Sequence, residues 1–467
     1  MERRTPFDRI GDWIAAALAV ALVFLGFTTD GIVALDATRS WVFQGCGVLG
    51  LWAVVGLARG RWQGNDVMMA RRVLLAWFVF VAYLGAQLIP LPAALATTLS
   101  PGWAEAVAVM RESGLTPPAW MPVALAPERG LELWFQALAS GLFFAGVLLV
   151  ASTPRPALAL TIALALISIL VSLNGLVSFV ISTRSLRAQM PMVNPNHQAA
   201  AILMGLPVIV GLLVTWRRRI AREQGLEAGL LPDRAMPILG LAVAAMIGWL
   251  VTFSRGSLFV GIAVLSAWVA LEIFINMRTV DSRTVLAEMR DRMGLLVVGA
   301  GLLVALGLFG GIVDGISGRL TNQEGAGAGS RYDIGMASLK GLARSPIFGL
   351  GPGSAEAAIT RYSSFPSELT PIYSHSDWLQ LVVESGIVGS ALIFGAILWA
   401  LLGLRHYHGS RLRRFDSPRG ILWRSAGAGL LTAALHAFSD FHLRIPMVGF
   451  MALILTALVF SPGARYR

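Results

Sequence analysis

The chain of 467 residues holds one cysteine, one lysine and few charges of either sign. Cys46 lies inside an apolar run and has no second thiol to meet. An intrachain disulfide and a thiolate metal site are therefore both excluded. The six histidines are scattered without ligand spacing, so no metal site is expected. Lys340 stands alone among 37 basic residues, and arginine supplies the rest. That bias reflects the codons of a GC-rich genome and carries no functional signal. Charged residues make up 13% of the chain and hydrophobic ones 56%, and the mean hydropathy is +0.70. No water-soluble globular protein of this length has such a composition. Alternating ten-residue strands are also missing, which excludes a membrane barrel. Helices are the other structure that satisfies every backbone group in lipid. The chain reads as a polytopic helical membrane protein.

What is present is a series of long apolar runs. Windows of roughly 17–25 apolar residues mark membrane spans. Twelve occur, at about 13–29, 40–57, 72–89, 131–151, 156–180, 198–216, 235–253, 257–277, 293–313, 376–402, 421–438 and 446–461. The first follows Arg3, Arg4 and Arg9, as the apolar core of a signal peptide would. No small-residue cleavage site comes after it and further spans do, so it is read as a retained helix. The net charge of +11 sits in short segments between the runs, which points to membrane topology and not to nucleic acid. With the N-terminus inside, the inner segments hold 24 of the 37 basic residues, or 25 with Arg424, and the outer ones 12. Both termini are expected in the cytoplasm.

Two outer segments are large. One, about Pro90 to Gly130, is rich in proline and tryptophan and suits a loop lying in the interface. The other, about Val313 to Ser374, is expected to be the only one long enough for a small extramembrane structure. Ser330-x-x-Asp333 is a variant capping box before an amphipathic stretch, Ile334 to Leu342. Pro346-Ile-Phe-Gly349-Leu-Gly351-Pro352-Gly353 breaks it, and a second short helix is expected over Ala355 to Arg361. The expected architecture is an all-α membrane protein of about twelve transmembrane helices, with a long outer loop carrying short helices. It divides into residues 1–312 (nine spans), 313–375 (the loop) and 376–467 (three spans). No internal repeat is visible, which weakens an inverted-repeat transporter reading.

Every unusual polar cluster falls on the outer side. His375 stands just before the tenth span, and Asp377, Gln380 and Glu384 follow at i, i+3, i+7 spacing on one helix face. Acids inside a membrane helix are costly unless paired. Arg255, in the turn Ser254-Arg255-Gly256, and Arg331 are the expected partners. Asn194-Pro195-Asn196-His197-Gln198 opens the sixth span, and His436, Asp440, His442 and Arg444 lie between the eleventh and twelfth. Taken singly, each has an ordinary structural role. Arg255 can snorkel to headgroups, and Arg331 can be a solvated helix start. The asparagines can cap a helix, although their amides also suit a sugar or phosphate. Asp440 with His442 and Arg444 can pin the membrane surface, and Glu384 can pair with an arginine to fix packing.

Together, two arginines and a histidine on one face suit a lipid diphosphate. Guanidinium forks grip phosphate oxygens bidentately and stay charged. A diphosphate leaving group needs that charge as its bond to a sugar breaks. The outer segments contain no Asp-x-Asp that would bring a metal instead. The outer compartment lacks nucleotide sugars, so the energy source is expected to be lipid-linked. His375 is the expected general base for an acceptor hydroxyl. Its place at a helix N-terminus favours the neutral ring, while Asp377 pulls the other way.

The turn at 254–256, Ser330-Arg331, the Pro346–Gly353 turn and His375-Ser-Asp-Trp-Leu-Gln-Leu-Val-Val-Glu384-Ser-Gly386 resemble the O-antigen ligase and polymerase superfamily. Asn194-Pro-Asn-His-Gln and the closing His436-to-Pro446 segment are similar to members linked to exopolysaccharide export. The resemblance covers roughly residues 190–460. It implies an inverting glycosyltransferase of a Gram-negative inner membrane that needs neither metal nor cofactor. Such enzymes move a glycan from undecaprenyl diphosphate to an acceptor on the periplasmic face. Arg255, Arg331 and His375 correspond to the essential residues. Asn194, Asn196, Asp377, Glu384 and Asp440 are the further expected substrate-binding groups. Asp377 is a departure, since many members carry asparagine there. The acceptor is a lipid A core in a ligase, a second lipid-linked repeat in a polymerase, or a protein in a third variant. The rival reading, a transporter or flippase for lipid-linked glycans, requires charges along a mid-span path.

Overall fold

Seven of the fifteen described α-helices begin on proline. A proline there has its φ pre-set and lacks an N–H only where none is needed. The computed structural model describes residues 5–28, 36–61, 65–181, 192, 194–224, 236–279, 328–363, 371–409 and 417–460. Helices α1 (Pro6–Thr28), α2 (Asp36–Ala58) and α3 (Asn65–Ala86) lead to two short ones, α4 (Ala93–Leu99) and α5 (Pro101–Glu112). Then come α6 (Pro127–Ala151), α7 (Pro154–Ile181), α8 (Pro195–Gln224), α9 (Met236–Leu250) and α10 (Arg255–Thr279). After them lie α11 (Ala328–Arg344), α12 (Ala355–Tyr362), α13 (Asp377–Gly409), α14 (Pro418–His436) and α15 (Pro446–Phe460). Seven described helices, α1, α2, α6, α7, α8, α10 and α13, are long and apolar enough to cross a membrane, and α9 and α15 are shorter apolar helices. The expected span at 293–313 lies outside the described residues.

Helix α8 is the axis of the bundle. Its most apolar window is 72% buried, against 11% for α13. Serines let its neighbours approach closely: Ser168 Oγ of α7 donates to the Ala201 carbonyl, against Gly205, and Ser425 of α14 lies against Gly211. In lipid such small-residue contacts replace the hydrophobic drive for helix association. Helices α10 and α14 are pinned at one end by a bidentate pair, with Arg424 Nε and Nη2 at 2.5 and 2.8 Å from the Glu272 carboxylate. Their other ends carry Arg255 and, just beyond the helix, Asp440.

Two sequence expectations are corrected. The segment between α3 and α6 is not a plain interfacial loop. It folds as α4 and α5, closed by a two-residue antiparallel pairing of β1 (Leu91–Pro92) with β2 (Trp120–Met121). Ala96, Val107 and Met121 form its small core, with Trp103 packed against them. Both large loops therefore carry structure, and they dock on each other. Leu125 N–H donates to the Leu350 carbonyl, Tyr362 Oη to Glu105, and Arg344 pairs with Glu105. These helices were not legible in the chain because they are short and bury only Ala96 and Val107, in a core of the segment's own.

The second correction concerns α13, which is not continuous. It breaks at Gly386, where φ is +62° and ψ −166°. A break inside a span frees carbonyls before it and N–H groups after it. The Pro346–Gly353 turn receives them. Leu350 and Gly351 N–H donate to the Val383 and Glu384 carbonyls, and Ile387 and Val388 N–H donate to the Pro346 and Ile347 carbonyls. Tyr83 Oη takes up the Ser385 carbonyl at 2.7 Å. Gly349, at φ +75°, meets Gly386 so closely that a Cβ on Gly386 would lie 2.3 Å from the Gly349 nitrogen.

Candidate functional site

The loop between α14 and α15 collects the polar residues. Asp377 N–H donates to the carbonyls of Ala437 and Asp440, and Trp378 Nε1 to that of Ala434. Ser376 Oγ accepts from Leu379 N–H and so caps α13. The start of α13 is thereby fixed on the end of α14. His375, one step earlier, takes a left-handed backbone at φ +52°, which a non-glycine residue adopts at a cost. Ser374 Oγ shares a 3.0 Å hydrogen bond with Ser338 of α11, which brings the loop helix to the same place.

Asp440 is the hub. Its side chain is 1% exposed. Within 3.7–4.0 Å of its carboxylate lie His197 Nε2, Arg331 Nη2 and His375 Nδ1. Phe441 N–H donates to its Oδ1 at 2.9 Å. The Phe441 ring stacks on Tyr373 and meets both His197 and His375 edge-on. Arg255 lies in a turn next to this loop. It is exposed and opens α10, in a turn held by Trp249 Nε1 donating to Ser257 Oγ and by a left-handed Phe253. A Cβ on Gly256 would lie 2.6 Å from Ser439 Oγ, so the Arg255 turn packs directly on the Asp440 loop. Arg331, His375 and the turn that carries Arg255, expected to act together, thus meet at one loop. Among the described residues, no three His, Cys, Asp or Glu side chains meet in a metal-ligand arrangement.

The other sequence candidates are engaged by the protein itself. Asn194 Oδ1 accepts from Asn196 N–H, and the Asn194 carbonyl accepts from His197 and Gln198 N–H, as the cap-and-turn reading of this motif requires. The expected pairing of Asp377 and Glu384 with Arg255 and Arg331 is wrong. Their partner is Arg444: Nη2 lies 2.9 Å from Glu384 Oε2, and Nε 3.7 Å from Asp377 Oδ1. Glu384 Oε1 also accepts from Gln380 Nε2, and Asp377 Oδ2 from Leu443 N–H. Arg444 is closer to both acids in the fold, a relation that charge counts along the chain do not encode. His197 was missed as a member of the cluster; its place next to a helix cap gave no sign that it would face Asp440.

Burial dominates the electrostatics. It lowers the His375 pKa below the ordinary 6.5; Asp440 opposes this, while Arg331 and His197 add to it. The carboxylate that acts on His375 is thus Asp440 and not Asp377. Burial alone would raise the Asp440 pKa, but His197, the Phe441 N–H and Arg331 together hold it well below the usual carboxylate range. The site therefore sets a fixed anion behind a neutral imidazole, with the Arg331 guanidinium at its rim and the turn that carries Arg255 packed beside it. A separate cavity of about 650 Å³, between the start of α6 and α12, is lined by none of these residues and holds the Arg129–Glu356 ion pair.

Residues 239–394 match the family described as O-antigen ligase. The matched stretch runs from α9 into α13 and contains Arg255, Arg331 and His375, while His197 and Asp440 lie outside it. No curated protein matches the chain. Residues 239–394 are thus similar to the O-antigen ligase family, which supports the resemblance to the ligase and polymerase superfamily over that stretch.

Proposed function

We propose that the protein is a periplasm-facing glycosyltransferase of a bacterial inner membrane, moving a glycan from undecaprenyl diphosphate to an acceptor hydroxyl. Arg331 and Arg255 hold the diphosphate, and His375 takes the acceptor's proton. The acceptor oxygen attacks the anomeric carbon from the face opposite the diphosphate. The carbon–oxygen bond to phosphate breaks, and the configuration inverts. Guanidinium charge is most useful as that leaving group gains negative charge, and a neutral imidazole is the form that accepts a proton. The observation that carries this reading is the meeting of Arg331, His375 and the Arg255 turn on the Asp440 loop. Asp377, Glu384 and Asp440 then serve by holding the site, since each is at least nine-tenths buried. Asn194 and Asn196 shape its rim.

The test is transfer by purified protein in detergent, with lipid-diphosphate glycan supplied. A ladder from donor alone marks a polymerase, and a single shift of added lipid A core marks a ligase. If guanidinium forks hold the diphosphate, Arg255→Lys fails nearly as badly as Arg255→Ala, since lysine keeps the charge and loses the fork. Each loss costs about 1.5–3 kcal/mol, or roughly one to two orders of magnitude in rate. Full activity of Arg255→Ala and Arg331→Ala rejects the site. A flippase shows no transfer in any arm.

A further inference from the structure

We infer that His197 and Asp440 are a positioning pair for His375: Asp440 fixes the ring through Nδ1, and His197 fixes Asp440. The inference rests on the transferase reading above and adds two residues that lie outside the matched family segment.

The geometry is that of an orienting carboxylate behind a base. His375 Nδ1 and Asp440 Oδ2 are both sealed from solvent, and neither has a hydrogen-bond partner. Such orphaned atoms are costly in a folded protein. Nδ1 lies 4.0 Å from Asp440 Oδ1, so a closure of about 1 Å brings it to hydrogen-bond distance. Catalytic hydrogen bonds are often this long before substrate binds. Arg331 Nη2 lies 3.9 Å from Oδ2, and a diphosphate that draws Arg331 outward frees the carboxylate to turn toward the histidine. With Nδ1 facing a carboxylate, the ring proton belongs on Nδ1. Nε2 keeps the lone pair that an acceptor hydroxyl needs.

His197 holds the carboxylate from behind. Its Nε2 lies 3.7 Å from Asp440 Oδ1 and 3.3 Å from Asn194 Nδ2. The Asn194 amide is oriented by its Oδ1, which accepts from Asn196 N–H. Nε2 therefore sits between a fixed donor and a fixed acceptor. Protonated there, it donates to Asp440; unprotonated, it accepts from Asn194. Phe441 sets both rings. Its centroid is 4.9 Å from His197 and 5.2 Å from His375, both edge-on, and Tyr373 stacks on it. This cluster differs in kind from the Arg444–Glu384 pin, whose 2.9 Å contact is already closed. Among the described residues, the charged and titratable groups that act on His375 are Asp440, Arg331 and His197.

His197→Phe keeps a ring against Phe441 and removes the nitrogen. His197→Gln keeps a polar group that can donate to Asp440. Both are to be compared with wild type, Asp440→Asn and His375→Ala for melting temperature in detergent, donor KM, kcat and the pH profile of glycan transfer. His197→Phe is expected to lower kcat about 10–100-fold, the size typical of outer-shell partners, with donor KM and melting nearly unchanged. His197→Gln should recover part of that loss. Asp440→Asn should lower kcat and move the acid limb of the profile to lower pH, because the carboxylate raises the His375 pKa. His197→Phe at wild-type kcat and pH profile, with His375→Ala inactive, overturns the pair and leaves the transferase reading standing. So does an Asp440→Asn limb that does not move. Should His197→Phe fail to fold, the kcat of His197→Gln decides: a loss no smaller than that of Asp440→Asn overturns the role of His197. No transfer by wild type, with donor and acceptor supplied, overturns the transferase reading itself.

Discussion

Arg444 neutralises two buried acids, and the start of α13 depends on it. Asp377 and Glu384 stand seven residues apart on one helix face, and a single guanidinium from the 3₁₀ turn His442–Arg444 reaches both. Removing one partner of a buried ion pair leaves a charge without compensation. Arg444→Ala should destabilise the protein by about 3–5 kcal/mol, read from denaturation in detergent. Glu384→Gln should cost less, because the amide still accepts from Arg444. Equal stability of Arg444→Ala and wild type would mean that the acids are solvated and not pinned. Such partnerships were only half legible in the chain. The cost of a charge in lipid marks Asp377 and Glu384 as paired, but pairing partners are set by the fold. The nearest arginine in space is 60 residues from Glu384. His375 was legible for the opposite reason: a titratable group at the very start of a span has few ordinary roles.

At the scale of elements, the docking of the Pro346–Gly353 turn into the break of α13 ties the two docked loops to the helix bundle. Gly386 at φ +62° and Gly349 at φ +75° meet backbone to backbone. Gly386→Val places a branched side chain in a region it rarely adopts and against the Gly349 backbone, at a cost of at least about 1–3 kcal/mol. Loss of folded protein is the expected outcome, measured as monodisperse yield in detergent and melting temperature. A variant as stable as wild type would contradict the docking. The sequence shows the turn, because proline and glycine interrupt the pattern. The helix break does not show, since Gly386 sits in an apolar run that hydropathy reads as continuous. In the same way Asn194-Pro195-Asn196 announces a helix start, but nothing local says that the next residue, His197, will face a carboxylate more than 240 positions away.

Across the whole molecule, the two large loops and the polar cluster lie together, and the Arg424–Glu272 pin holds the far ends of two helices that frame the cluster. The proposed function, with the bias of basic residues, puts that far side in the cytoplasm. Reporter fusions at about residues 225, 285 and 412 should therefore report cytoplasm, and fusions at about 110 and 350 periplasm. A cytoplasmic signal at 350 would remove the cluster from the face on which the proposed transfer takes place. The central claim is chemical, and one comparison tests it most directly. It is glycan transfer from a purified undecaprenyl-diphosphate donor by wild type and by His375→Ala, with donor binding measured alongside. Wild type is expected to transfer, and His375→Ala to be slower by about 10²–10⁴-fold with donor binding nearly intact. Transfer by His375→Ala at the wild-type rate would contradict it.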